Sequence, residues 1–447
     1  MKKKGISSAK KFIFFSTLAL SALPCSALSL VDADSKLAKI FSFTEDENAA
    51  STSYRSLLIP SAGKAESLGC AFTGLCDDIN FIEYNPAASS ILTFTQASVA
   101  HNKWISDSAL ESVAITSRWK NFGLAAQIRC FYVPFAEYNI FGEKTSSSYY
   151  SETTAVLNAS YNFLAGYTFK GLAAGINLKT SFRNVPDYAD SITNALITGS
   201  GLAQSGLAFM ADIGLLLRFN AFKIYSSREP NFIIGLSFFN AGAGLTGFGE
   251  KIILDDPLPT KINFGLSYRI IKPFVISAEI QQPVNLLNIS QSEKTSFACG
   301  LNLKITDFFS ASGGFLLKGA NPRFSLGTEF YMQDIIINAT YTLDLTSSAN
   351  PVNRISLAAK MNLGDKGRIH IQKEIDKFYC QGLTYYAQSG LEKNYEEAQN
   401  YLDKALEAWQ KVLQLDKTFD PAKNGIDIIL AEKENLKKVQ DAQSLNQ

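Results

Sequence analysis

Few residues in this chain have the types and spacing that chemistry needs. Asp77 and Asp78 form a paired acid within GCAFTGLCDDINFIEYNPAASSIL, residues 69–92. Paired carboxylates can bind a cation or share a proton, but only when further ligands converge on them. At the start of a helical turn such a pair more often meets free backbone N–H groups. Cys70 and Cys76 are close enough to pair in an oxidising compartment. Two small buried thiols are an equally good reading. Neither a histidine nor a further cysteine joins them at metal-ligand spacing. The two histidines of the chain, His101 and His370, are far apart in sequence. No nucleophile elbow or phosphate loop appears. The residues therefore predict no enzyme, no metal site and no cofactor.

The elements that would have to carry any function are more legible. The chain has 447 residues and a formal charge of +1, which gives no electrostatic case for nucleic acid. Aromatics are 12% of the chain, with 32 Phe, and mean hydropathy is +0.02. Lys2, Lys3, Lys4, Lys10 and Lys11, then apolar residues 12–23, form a secretory leader with small residues for cleavage near Ala27. Apart from that leader, no apolar stretch is long enough to span a bilayer as a helix.

From Leu92 to Leu363 the hydrophobic period is two. In DIIINATYTLD, Ile335, Ile337, Ala339, Tyr341 and Leu343 oppose Asn338, Thr340, Thr342 and Asp344. Alternation sustained over about ten residues suits a strand that crosses a bilayer with one face to lipid and one to a lumen. About fourteen such segments are present, an even number as bacterial barrels need. Tight links at 120–121, 164–167, 271–273, 306–307 and 332–334 alternate with longer ones at 134–152, 183–207, 240–260, 283–295 and 345–353. Two links break the rule: 220–230 is long for a turn and 105–109 is short for a loop. Short periplasmic turns and long outer loops are what an outer-membrane barrel shows. Both ends of the barrel then face the periplasm, and residues 69–92 are expected to enter from that side. Arg118, Arg129 and Arg269 are expected to point into the lumen, with Lys179, Lys261, Glu279, Lys304, Arg323, Glu329, Arg354 and Lys360, because charge on the lipid face is costly.

After Gly364 the period changes to three and four. Gly382, Tyr386, Tyr395, Ala398, Ala405, Trp409 and Leu413 resemble a tetratricopeptide helix pair, with a second helix about two turns too long for that repeat. The resulting division is a signal peptide at 1–27, an N-terminal segment and luminal plug at 28–91, a barrel at 92–364 and a small periplasmic helical domain at 369–439.

Composition alone marks residues 69–92 as a compact plug. Gly69, Ala71 and Gly74 permit close backbone packing. Asp77, Asp78 and Asn80 favour turns, and Pro86 forces Asn85 out of the helical region. The run from Ser61 through AGKAESLGCAFTGLCDDINFIEYNPAA resembles the FadL-type outer-membrane family, the long-chain fatty-acid transporters, and within it an uncharacterised spirochaetal branch. Asp77, Asp78, Asn85, Pro86 and Ala87 match that pattern. Ala88 stands where glycine is often found, and Cys70 where a second glycine is common. The resemblance implies a hatch whose displacement opens a route for a long-chain fatty acid or another hydrophobic small molecule, within outer-membrane lipid. Phe135, Tyr138, Phe141, Tyr149 and Tyr150 are the candidates for ligand capture in the first long outer loop. Arg118, Arg129 and Arg269 are the candidate lumen cations. The alternative is a FadL-like assembly or shuttle protein that binds protein cargo, with the helical tail docking a periplasmic protein.

Overall fold

The computed structural model describes residue 48 and residues 51–445, with gaps at 106, 140, 168, 189–192, 194, 196, 198–199, 226, 249–250, 319–320, 345–351 and 393. The expected leader at 1–27, with its lysines and cleavage region, lies outside the described residues, as do residues 28–47.

Fifteen strands follow one another: β1 (Gln96–Lys103), β2 (Ala109–Trp119), β3 (Phe122–Tyr138), β4 (Lys144–Phe163), β5 (Leu172–Asn184), β6 (Gly206–Phe219), β7 (Phe232–Thr246) and β8 (Ile253–Leu254). Then come β9 (Lys261–Ile271), β10 (Phe274–Pro283), β11 (Ser296–Lys304), β12 (Phe309–Lys318), β13 (Asn321–Met332), β14 (Ile335–Asp344) and β15 (Val352–Asn362). Every pairing is antiparallel and joins sequence neighbours, except that β7 passes over the two-residue β8 to pair with β9 and β1 closes on β15. The sheet closes where Gln96 of β1 faces Asn362 of β15. The result is a closed wall of 14 strands. Closure leaves no edge with unpaired backbone groups, as a sheet in hydrocarbon requires.

The alternation in the sequence becomes an inside-out surface. On β14, Ile335 and Tyr341 are exposed, while Asn338, Thr340, Thr342 and Asp344 are buried. Val99, Ile128, Leu157, Leu178, Leu326 and Ile355 stand outward on other strands, each more than half exposed. Greasy outside and polar inside is the pattern of a transmembrane barrel.

The link expected at 134–152 is not a loop. β3 runs for 17 residues and β4 for 20, paired as far as Tyr138 and Lys144. A hairpin with water on both faces needs no apolar alternation, so period alone misses it. For the same reason β7 continues to Thr246 inside the link expected at 240–260. The β12–β13 turn is short, because Lys318 already faces Asn321.

Beyond the barrel lie helices α2 (Arg368–Leu391), α3 (Tyr395–Leu415) and α4 (Asp420–Leu445); a short α1 (Lys64–Ser67) precedes the barrel. Asp365 starts α2. Its carboxylate accepts from the N–H of Ile369 at 2.6 Å and of Gly367 at 3.0 Å, and the Ile369 bond leads in holding its pKa below the ordinary value. Asn394 caps α3 through the N–H of Glu396. The three helices bury Trp409, whose indole lies against Gly382 of α2 and Gly425 of α4. A Cβ on either glycine would collide with the ring. The indole N–H donates to the carbonyl of Tyr379 at 3.3 Å.

This helical unit rests on the short-turn end of the barrel. Tyr167, in the β4–β5 turn, meets the Phe419 ring edge-on at 4.8 Å. Arg228, in the β6–β7 turn, covers the same ring and pairs with Asp376 at 2.5 Å. Trp409→Ala should cost about 3–5 kcal/mol by cavity formation. Helical circular dichroism should melt earlier while the barrel keeps its heat-modifiable gel migration. Loss of both signals together would show that barrel and helices fold as one unit.

Candidate functional site

The lumen holds the residues that precede β1. At the long-loop end, Ser53 is fixed by its N–H to the carbonyl of Pro257 at 3.0 Å and by its hydroxyl to Asp256. The chain then descends through a turn at Arg55–Leu58, α1, and turns at Ile79–Glu83 and Pro86–Ser90, and joins β1 at the other end. The sequence expectation that this part enters from the short-turn side is corrected here. Only its junction with β1 lies there, and the described residues upstream, 48 and 51–58, lie at the opposite mouth.

This inner segment has little regular structure, so its backbone groups need partners from the wall. Glu279 accepts from the N–H groups of Phe72 and Thr73 at 2.9 and 2.8 Å. Asn177 donates to the carbonyl of Ile82, Asn158 to that of Pro86 and Ser267 to that of Gly74. Arg129 donates to the carbonyls of Ser56 and Ile59 at 2.8 and 2.7 Å and pairs with Glu83 at 3.1 Å. Each such group left unpartnered would cost roughly 1–3 kcal/mol. Lys360, 2% exposed, bridges Asp78 of the inner segment at 2.6 Å and Glu329 of β13 at 2.7 Å.

The contact is also close in shape. Eight wall glycines, each on a different strand, face backbone or Cβ atoms of the inner segment. Gly175 and Gly214 lie against Pro86, Gly235 against Thr73, Gly265 against Gly74 and Gly314 against Gly69. A Cβ at any of these would collide with the segment. Glycine is required here for the missing side chain, not for backbone freedom. Inside the segment, Cys70 and Cys76 are free thiols, both at left-handed φ, +67° and +43°. Cys76 Sγ donates to the carbonyl of Phe72.

Above the inner segment, the long-loop mouth holds a cavity open to solvent. Leu57, Leu58, Ile59, Pro60, Trp104 and Leu316 supply its apolar surface. Lys261, Lys318, Arg323 and Arg354 bring positive charge, and Glu66, Glu83 and Glu293 negative. Arg323 and Arg354 share Asp344 at 2.8 and 3.3 Å, and Arg354 covers the Trp104 ring at 3.9 Å. Lys318 lies 3.8 Å from Glu293. Lys261 has no carboxylate within 4.0 Å among the described residues; it lies 5.7 Å from the Phe239 ring, and its charge acts on the Glu279 carboxylate. An apolar pocket with a few placed charges is the usual form of a small-molecule site.

The residues singled out from sequence fall in three places. Asp77, Asp78, Asn85, Pro86 and Ala87 are in the inner segment. Asp77 pairs with Lys64 at 2.5 Å, and Asn85, fully buried, caps the turn through the N–H of Ala87 and donates to Leu215 and Thr73. Phe135, Tyr138, Phe141, Tyr149 and Tyr150 belong to the tall β3–β4 hairpin. Phe135 stacks on Tyr188, Tyr150 donates to Glu152, and Phe141 is 81% exposed. None of these five lines the cavity. Of the three arginines, Arg118 donates to the carbonyls of Ile91 and Leu92 near the short-turn end, Arg269 pairs with Glu229 at that end, and only Arg129 is deep in the lumen. Sequence reasoning missed Trp104, Lys318 and residues 57–60 as cavity lining. The apolar run Leu57-Leu58-Ile59-Pro60, outside any strand pattern, was the available signal.

The fold and the site define a transmembrane β-barrel whose lumen is filled by its own N-terminal segment beneath a mixed apolar and cationic cavity. The chain belongs to the uncharacterised protein family UPF0164, whose model matches residues 29–366. A UPF0164 protein of Treponema pallidum (strain Nichols) is 28% identical over 379 residues, 83% of this chain and 81% of the relative. Another from the same organism is 24% identical over 388 residues, 83% of this chain and 74% of its own length. Among solved structures, the Pseudomonas putida toluene transporter TodX is similar at 13% identity, covering 64% of this chain and 94% of that one, with a TM-score of 0.39. The KdgM porin is similar at 8% identity, 60% and 99% coverage and a TM-score of 0.28. At these identities the ligands of those proteins do not transfer to this chain.

Lys360→Ala would leave Asp78 and Glu329 buried together without the cation that bridges them, with only Lys64 acting on both from farther off. Breaking such a group by removing one partner should cost about 3–5 kcal/mol. The urea midpoint of barrel unfolding, followed by heat-modifiable migration, should fall accordingly. An unchanged midpoint would mean that the bridge does not hold the inner segment.

Proposed function

We propose that this protein sits in the bacterial outer membrane, takes hydrophobic small molecules into the cavity at its long-loop mouth and passes them inward. The observation that carries this is the cavity itself: an apolar surface bearing basic side chains, roofing a lumen that the inner segment closes to bulk water. Long-chain fatty acids are the ligand class we favour, since a carboxylate suits the basic side chains and an acyl chain suits residues 57–60 and Trp104. The FadL-type resemblance of residues 61–88 supports the same reading. The short turns and the helices then lie in the periplasm, and the long loops outside.

The protein-cargo alternative is weaker. The aromatic face of the helical unit at Phe419 already meets Tyr167 and Arg228 of the barrel turns. The tetratricopeptide-like reading of α2 and α3 rests on residue spacing alone, and we take the unit as a cap on the inner mouth.

Trp104 is a reporter within the cavity. Dibromooctadecanoate added to the refolded protein in detergent should quench tryptophan emission saturably, and Trp104→Phe should remove most of that quench. A short-chain acid should give none. Equal quenching of the Trp104→Phe variant would place the lipid on the outer wall, near Trp119, and defeat the reading.

A further inference from the structure

At the short-turn mouth stand arginines that no acid answers. Arg118 lies on β2 two residues beyond Thr116, and Arg218 on β6 two beyond Leu216; Thr116 and Leu216 are buried on the lumen side. Period two therefore turns both guanidinium groups inward, below the last residues of the inner segment. Each is partly buried. Arg118 donates to the carbonyls of Ile91, Leu92 and Lys120, and Arg218 to that of Lys170 at 2.7 Å. Arg368, in the first turn of α2, donates to the carbonyls of Thr93 and Arg118 at 2.9 and 3.2 Å. Three elements thus bring three arginines to one mouth. Carbonyl oxygens hold them there, and a carbonyl orients a guanidinium without neutralising it.

Arg218 stands in the field of Arg118, and Arg118 in that of Arg368; among the described residues no carboxylate acts on Arg118 or Arg218. The acids of this end are engaged elsewhere. Asp365, which acts on Arg368, accepts from the N–H groups of Ile369 and Gly367. Asp376 pairs with Arg228, and Glu229 with Arg269. Asp416, which acts on Lys170, accepts from the N–H of Thr418 at 2.9 Å. Like charges gathered partly out of water raise one another's energy, and buried charges are normally paired. Nε of Arg218 is also shut off from solvent and donates to no described group. An oxyanion answers both conditions, since it brings negative charge and acceptor oxygens together. The planar fork of a guanidinium matches phosphate or carboxylate. We propose that Arg118, Arg218 and Arg368 form a site for a small free oxyanion, a phosphate or a carboxylate, at the seam between barrel and helical unit. Its binding fastens the start of α2 to the ends of β2 and β6. The site lies at the mouth opposite the cavity and does not rest on the uptake reading.

Inorganic phosphate and sodium acetate, titrated separately into the refolded full-length protein in neutral detergent, test it. Ionic strength is held constant with sodium chloride, and helical circular dichroism is followed on heating. Phosphate or acetate should raise the helical melting temperature saturably, and the one that does so assigns the oxyanion class. Arg218→Gln should raise the half-saturating concentration about tenfold, as loss of one charge-assisted contact does. Its loss of stability should be confined to solutions that hold the oxyanion. Arg368→Gln, outside the wall, should weaken the response likewise and serves where Arg218→Gln does not refold. Arg269→Gln, at the same end but paired with Glu229, should keep the natural half-saturation. No saturable rise with either anion in the natural chain would overturn the proposal. So would an equal rise with sodium chloride alone, which reduces the effect to screening, or an unchanged half-saturation in the folded Arg218→Gln and Arg368→Gln variants. A loss of stability in Arg218→Gln that is the same with and without oxyanion would assign Arg218 to the Lys170 carbonyl alone and overturn it as well.

Discussion

Closing 14 strands into a ring encloses more space than the inward side chains of the wall can fill. That space must either fill with water or take up chain. Here it takes up the residues before β1, and nearly everything else about the lumen follows. A filler with little helix and no strand brings unpaired N–H and C=O groups with it, so the wall must supply partners. Glu279, Asn177, Asn158, Ser267 and Arg129 do so from five different strands. The wall must also come close enough to reach, which explains the glycines on eight strands.

The same constraint sorts the charges. Most inward carboxylates and cations are committed to holding the inner segment or to one another, as with Lys360, Asp78 and Glu329. Others collect at the long-loop mouth around the cavity, several of them paired there, as Arg323 and Arg354 are with Asp344. There Leu57, Leu58, Ile59 and Pro60 turn an apolar surface upward beneath Lys261, Lys318, Arg323 and Arg354. The proposed ligand chemistry comes from that combination and not from any catalytic constellation.

The wall was legible in the sequence because strict alternation has one physical cause, lipid on one side and polar lumen on the other. Where that cause lapses, legibility lapses. The upper halves of β3 and β4 meet water on both faces, so Phe135, Tyr138 and Tyr149 passed for loop residues when they belong to a paired hairpin. Residues 69–92 were recognisable as a plug from their small residues and turn formers. Their direction in the lumen was not, since it depends on where Ser53 is tied, and Asp256 and Pro257 are some two hundred residues away. The cavity was the least legible part. Lys261, Arg323 and Arg354 were correctly expected to face inward, but Trp104 and Lys318 become neighbours only through the register of β1, β12, β13 and β15. Glycines 175, 214, 235, 265 and 314 look like ordinary weak points in strands until the inner segment is laid against them.

The central claim is that the cavity holds an apolar ligand above an inner segment that fills the lumen. An experimental structure of the full-length protein with hexadecanoate tests it most directly. The account predicts acyl density along residues 57–60 and Trp104, a carboxylate within reach of Lys261, and Gly74 still seated on Gly265. Density only on the outer wall, or an inner segment lifted from its glycines with the ligand in its place, would contradict it.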